Sequence, residues 1–213
     1  MLRPVLVACE NSQEITGRLI ESGINAYSCD VLPCSGPYPE KHLQFDVREC
    51  LWFKWSAVIA HPPCTFLTSS NTYIGRGCSK YTPKEAIDLR KQAIEFFMLF
   101  TRLPCRYAIE NPVGIMSRLY RKPDQYIQPY EYGDDASKKT CLWLQGFPPL
   151  IPDPADYVQP RIVDNKKRWA NQTDSGQNRL PPSEERSNIR SKTYPGIARA
   201  IVEQWFLSPQ RRK

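Results

Sequence analysis

The chain has 213 residues, of which 41% are hydrophobic, and a formal net charge of +7, which suits one domain with a sizeable core and modest appendages. No stretch approaches the roughly 20 apolar residues of a membrane-spanning helix, and the opening MLRPVLVACENSQEI has too short an apolar run before Glu10 and Asn11 for a secretory signal, so a cytoplasmic protein is expected. Eight cysteines then read as reduced thiols; with no C-x-x-C and only His42 and His61 as imidazoles, the lone H-x-x-C of His61 and Cys64 is poor zinc spacing, and no metal is expected.

Pro4 to Ala8 is a short apolar run and a predicted strand. Asn11 followed by Glu14 has capping-box spacing and predicts a helix with Ile15, Leu19 and Ile20 on one face, ended by Gly23. Ala26 to Cys29 reads as a second strand with Asp30 at its end, and Phe45-Asp46-Val47 ends a third. Ala57 to Ala60 is a fourth, which runs directly into Pro62 and Pro63. Thr82-Pro83-Lys84-Glu85 opens a helix, with Ala86, Leu89, Ala93, Phe97 and Phe100 at helical spacing. Cys105 to Ile109 is a fifth strand, followed by Glu110-Asn111-Pro112. Tyr126 to Tyr132 and Thr140 to Leu144 suggest an antiparallel pair joined by the polar GDDASKK. Residues 145–183 are rich in Pro, Asp and Asn and show little periodicity. Pro195 to Phe206 closes the chain as a helix with Ile197, Ile201, Val202 and Trp205 on one face. The alternation of strands and helices predicts an α/β fold, Rossmann-like, with a mostly parallel sheet and helices on both faces.

In such sheets ligands sit at the carboxyl ends of the strands. Cys9, Glu10, Asp30, Asp46, Cys64 and Glu110 all fall just after predicted strands and share that rim. An acid at the end of the second strand can hold a ribose hydroxyl, or simply shape a turn. The loop ACENSQE lacks the glycines of G-x-G-x-x-G, which disfavours a pyrophosphate and favours a phosphate-free nucleoside cofactor such as S-adenosylmethionine. Two prolines fix two torsions and remove two N–H donors, so Cys64 stands in a stiff loop at the rim, either as a nucleophile or as a small buried hydrophobe. Glu110, ending the next strand, can stay protonated if desolvated and donate to a ring nitrogen. Together these groups suggest addition of a thiolate to C6 of a cytosine, with Glu110 at N3 and group transfer to C5. Charge is uneven: 12 basic against 11 acidic residues over 1–110 give +1, and 17 against 11 over 111–213 give +6. The second half, with Lys166, Lys167, Arg168, Arg186, Arg190, Lys192 and the tail Arg211, Arg212, Lys213, suits either an anionic partner such as nucleic acid or a solvated surface.

The motifs in their order resemble the DNA (cytosine-5) methyltransferases, specifically the short forms of phages and prophages: Ala8-Cys9-Glu10, SCDVLP around Asp30, Asp46-Val47, HPPC at 61–64, ENP at 110–112, QPYEYGDDASKKTCLWL at 128–144 and RSKTYPGIARAIVEQW at 190–205. The resemblance spans nearly the whole chain. It implies a methyltransferase core over 1–144, a short irregular segment over 145–185 where the family carries a target-recognition domain, and a C-terminal helix over 186–213 that returns to the core. It implies Cys64 as nucleophile, Glu110 as the acid at N3, and Lys139 near the family's arginine-rich Q-x-R-x-R segment. It implies S-adenosylmethionine held by Ala8, Cys9, Glu10, Asn11 and Ser12 at its methionine end, by Asp30 with Val31 at the ribose, and by Asp46 with Val47 at the adenine, with Pro62 alongside. DNA in a bacterial cytoplasm is the implied partner.

The chain departs from that pattern in lacking Phe-x-Gly-x-Gly, in Thr65 after Cys64, in ENP for ENV and in lysines for the paired arginines. The short 145–185 segment points to low sequence specificity, a single-stranded target or a helping partner. A zinc deaminase needs H-x-E and P-C-x-x-C, which Pro62-Pro63 and Leu67 deny. An amino-group methyltransferase would carry an aromatic where Cys64 stands. A catalytically silent nucleic-acid-binding relative, or the same chemistry with a modified cofactor or another cytosine-containing acceptor, is the alternative.

Overall fold

The most apolar short runs of the chain become the central strands. A computed structural model describes residues 3–68, 81–181, 183 and 185–208; Cys78 and the basic tail at 211–213 lie outside the described residues. β1 (Val5–Ala8), β2 (Ala26–Asp30), β3 (His42–Gln44), β4 (Ala57–Ala60) and β5 (Arg106–Pro112) run parallel, and β7 (Thr140–Gln145) pairs antiparallel with both β5 and β6 (Gln125–Ile127). The sheet order is β3-β2-β1-β4-β5-β7-β6. The chain therefore winds outward in opposite directions from β1 and β4, the position where a crevice opens in an open α/β sheet. β1 and β4 are buried throughout, as central parallel strands covered on both faces should be.

Side chains alternate between two cores. Val5, Val7, Ala57 and Ile59 face one side, against Ile15 and Leu19 of α1 (Glu14–Glu21) and Ile197, Ile201 and Val202 of α5 (Pro195–Val202). Leu6, Ala8, Val58 and Ala60 face the other, against Phe97 and Phe100 of α2 (Pro83–Phe100). α2 carries the expected reciprocal capping box between Thr82 and Glu85. The expected antiparallel pair is present as β6 and β7.

Several elements differ from the sequence expectations. Asn11 does not cap α1; Gln13 occupies that position with φ 58° and no capping bond of its side chain. The cap comes from Glu10, whose buried carboxylate accepts the Ile15 and Thr16 amides at 2.8 and 3.2 Å and the Thr16 hydroxyl at 2.6 Å. The third strand ends at Gln44, before Asp46. β5 continues through Glu110-Asn111-Pro112, because β7 pairs with those residues after β4 has ended. The closing helix is α5 followed by a π-helical turn, Glu203–Leu207, preceded by the short α4 (Glu185–Ser191). Between β7 and α4, the stretch read as irregular contains a hairpin, β8 (Arg161–Val163) and β9 (Lys166–Arg168), turned by Asp164 and Asn165 in left-handed conformation. Trp169 anchors it, stacked on Tyr130 at 4.1 Å and donating from Nε1 to the Val158 carbonyl at 3.1 Å. Among the described residues no helix is long and apolar enough to cross a membrane.

Candidate active site

Strand register brings the site together. Ala8 lies level with Cys29 of β2 and Ala60 of β4, and Ala60 level with Ile109 of β5. The residues one step on, Cys9, Asp30, His61 and Glu110, therefore stand in one row at the carboxyl edge.

The loop after β4 is tied down at both ends. The His61 amide donates to the Ala8 carbonyl at 2.9 Å. Asn111, buried in β5, donates from Nδ2 to the Pro62 carbonyl at 2.7 Å. The Cys64 carbonyl accepts the Leu67 and Thr68 amides at 2.9 and 3.1 Å, and the Leu67 carbonyl accepts the Ile115 amide at 2.9 Å. Gly114 permits that approach: a Cβ there would stand 2.1 Å from the Leu67 oxygen. Prolines 62 and 63 offer no N–H, so the loop is held through its carbonyls instead. Cys64 is thus carried, half-buried, toward Glu110.

Glu110 accepts a hydrogen bond from His61 Nδ1 at 3.1 Å. Burial pushes its pKa up, but the His61 bond, with Lys138, the His61 charge and Thr140, outweighs burial and leaves the carboxyl below its ordinary value. The expectation of a carboxyl kept neutral by desolvation is therefore corrected: in the free protein Glu110 is ionised. Cys64 moves the other way. Burial and then the Glu110 charge push its thiol up, against Lys138 and Arg190. The pair holds one negative charge, on the carboxylate, and one proton, on sulfur.

Lys139 is corrected to Lys138. Lys139 is exposed and lies over the Tyr126 ring at 4.4 Å, away from Glu110. Lys138 is half-buried, acts on both Glu110 and Cys64, and donates from Nζ to the Arg190 carbonyl at 3.0 Å. Thr140, two residues on, shares its face, as the period-2 geometry of an extended chain requires.

The residues expected at a cofactor divide into two groups. Cys9 (φ 60°), Glu10, Asn11 and Ser12 line a small cleft with His61 and residues 191–193. Ala8 is fully buried at the strand end. The Cys9 thiol is pushed up, chiefly by burial, and so is the Glu10 carboxyl; Glu10 is spent on the α1 cap. Asp30 accepts the Leu32 amide at 2.9 Å, an Asx turn that leaves Val31 65% exposed at the same rim. Asp46 does not face the cleft unengaged: Arg48 holds it through Nε at 2.9 Å and Nη2 at 2.5 Å, and that hydrogen bond outweighs burial in drawing its pKa down. Val47 packs in the core, so it is no ligand contact. Pro62 is buried beneath the Asn111 clamp.

Sequence reasoning missed His61, weighed only as half of a zinc pair, and Lys138. Strand parity around Thr140 signalled Lys138; nothing in the sequence signalled that His61 would turn back onto Glu110. Among the described residues no group of three or more His, Cys, Asp or Glu side chains could hold a metal ion. A larger cleft lies at the opposite end of the strands, beside Arg3, Trp55, Arg102 and Arg106, and contains none of these residues. No protein-family model and no curated protein matches the chain.

Proposed function

We propose that the chain is an S-adenosylmethionine-dependent DNA (cytosine-5) methyltransferase of the short phage and prophage type, working in a bacterial cytoplasm. The observation that carries this reading is the convergence of Cys64 and Glu110, two groups from different strands whose charges act on one another. The strand order, with an antiparallel β7 beside β5, supports a methyltransferase-type Rossmann-like core.

The rim suits the cofactor in part. The cleft of residues 9–12 with 191–193 fits an amino-acid end, and Asp30 with exposed Val31 fits a ribose and the edge of a base. Asp46 reaches an adenine amino group only after Arg48 releases it. When bound, the cofactor supplies an electrophilic methyl group for C5.

The chain's own groups do the rest. Cys64 loses its proton as sulfur bonds to C6 of the cytosine. N3, made basic by that addition, takes a proton held at Glu110, so the pair's single proton is the one the base needs. Electron density moves to C5, the methyl is received there, the C5 proton leaves to a base, and sulfur departs from C6. Lys138 offsets the charge on Glu110 between turnovers.

Incubating the protein with S-adenosylmethionine and unmodified DNA, single- and double-stranded, then digesting and weighing the nucleosides, tests this. A 5-methylcytosine peak is expected. Cofactor binding without any modified nucleoside would move the reading to another acceptor or group, and absence of binding would leave the silent relative.

A further inference from the structure

His61 is used on one side only. Its imidazole is 8% exposed, and a buried ring ordinarily satisfies both nitrogens. Nδ1 meets Glu110 at 3.1 Å. Nε2 is buried and has no hydrogen-bond partner in the protein, while His61 lines the cleft formed by residues 9–12 and 191–193. No other loop connects the two halves of the site: the residue before Pro62 touches the acid through one nitrogen and borders the cleft with its ring.

We infer that His61 is a positioning residue with two partners, fixing Glu110 through Nδ1 and receiving through Nε2 the α-ammonium group of an amino-acid-bearing nucleoside in this cleft. The inference rests on the cofactor reading above and extends it. An ionised Glu110 only accepts, so Nδ1 carries the proton, and in the neutral ring Nε2 is then a lone-pair acceptor. An acceptor buried in a cleft selects a donor. Lys192, lining the same cleft, supplies the cation for the neighbouring α-carboxylate. Occupancy of the cleft thereby fixes the ring, and the ring fixes Glu110, so the acid is aligned only when the cofactor is seated.

Protonation of His61 would turn Nε2 into a donor facing an ammonium, so binding of the amino-acid end weakens in acid. The groups facing the ring that also titrate or carry charge are Glu10 after β1, Glu110 on β5, Lys138 before β7, Lys192 before α5, and the thiols Cys9 and Cys64.

The test compares S-adenosylhomocysteine with 5′-methylthioadenosine, which lacks the amino-acid end, by calorimetry and by NMR of the histidine rings. The chain has only two histidines, and both ring nitrogens of His42 are already bonded, to Ser28 and Leu32. The wild type is expected to prefer the homocysteine compound, and that compound alone should move the His61 ring signals. His61→Asn keeps a donor at the Nδ1 position and loses Nε2, so the preference should fall about tenfold, the worth of one hydrogen bond to a charged group. His61→Gln keeps a polar group at the Nε2 position and loses the Glu110 contact, so it should keep most of the preference while transfer slows. Equal preference in wild type and His61→Asn, or His61 signals that ignore the amino-acid end, overturns the inference and leaves the cofactor reading standing. Failure of both nucleosides to bind removes the cofactor reading, and the inference with it. The ring signals are read on the unmodified protein, so a variant that fails to fold does not remove the test.

Discussion

A thiol beside an ionised carboxylate resists giving up its proton, and that is the resting condition of Cys64. Burial and Glu110 hold the sulfur protonated, and Lys138 and Arg190 reduce that effect without reversing it. Alkylation of Cys64 by iodoacetamide should therefore be slow at neutral pH and climb only above the ordinary cysteine range. Glu110→Gln removes the anion, lowers the thiol pKa and should speed alkylation at pH 8, about tenfold for each unit of the fall; Lys138→Gln should slow it. Peptide mapping with Cys64→Ala as control reads this, and unchanged rates in both variants would mean the two charges do not reach the sulfur. For turnover the signs differ. Cys64→Ala should abolish transfer and keep cofactor binding, and Glu110→Gln should cost about 10²–10⁴ in rate, since the variant reacts faster with iodoacetamide but cannot protonate N3. The identities of Cys64 and Glu110 were legible because each follows an apolar run. Their protonation states were not, because the His61 and Lys138 contributions come from 49 and 28 residues away.

The loop bearing Cys64 owes its place to β5 and the turn after it. Asn111→Ala would leave the buried Pro62 carbonyl unpaired, at a cost of about 1–3 kcal/mol, and should reduce transfer more than cofactor affinity. Gly114→Val should do the same more severely, since its side chain meets the Leu67 carbonyl. Denaturant titration together with single-turnover rates separates the two effects; normal turnover in Asn111→Ala would mean the clamp is dispensable. At this scale the sequence was readable wherever one signal dominated. Four-residue apolar runs marked β1 and β4, and Thr82-Pro83-Lys84-Glu85 marked the start of α2. It was unreadable where a distant partner decided. β5 outruns its apolar residues because β7 offers a ladder beyond β4. α1 starts at Glu14 because a buried Glu10 out-competes Asn11 for the free amides. The hairpin β8–β9 has charged three-residue strands with no pattern to detect, and the Tyr130–Trp169 stack holds its base.

Across the whole molecule, basic charge and the returning C-terminal helix matter most. Lys166 and Lys167 are exposed on the hairpin, the one structured feature where a larger reading domain was expected. If the partner is DNA, binding should weaken linearly in log–log plots against salt, and Lys166→Ala with Lys167→Ala should reduce affinity and lower the slope by about 2; a salt-independent affinity would remove nucleic acid as the partner of this face. α5 completes the core beside α1. Trp205 is fully buried, stacks on Phe147 at 4.6 Å and donates to the Pro148 carbonyl at 2.9 Å. Trp205→Ala should cost about 3–5 kcal/mol in chemical denaturation, and a loss under 1 kcal/mol would mean the helix docks without it. One wall of the cleft, residues 191–193, leads directly into that helix, while the opposite wall is made from residues 9–12. The two walls are built at opposite ends of translation. A nascent chain can carry Cys64 and Glu110 outside the ribosome for more than a hundred residues of elongation with no closed cleft to serve them. The protein is thereby silent until synthesis is nearly finished, a delay written into the order of its residues.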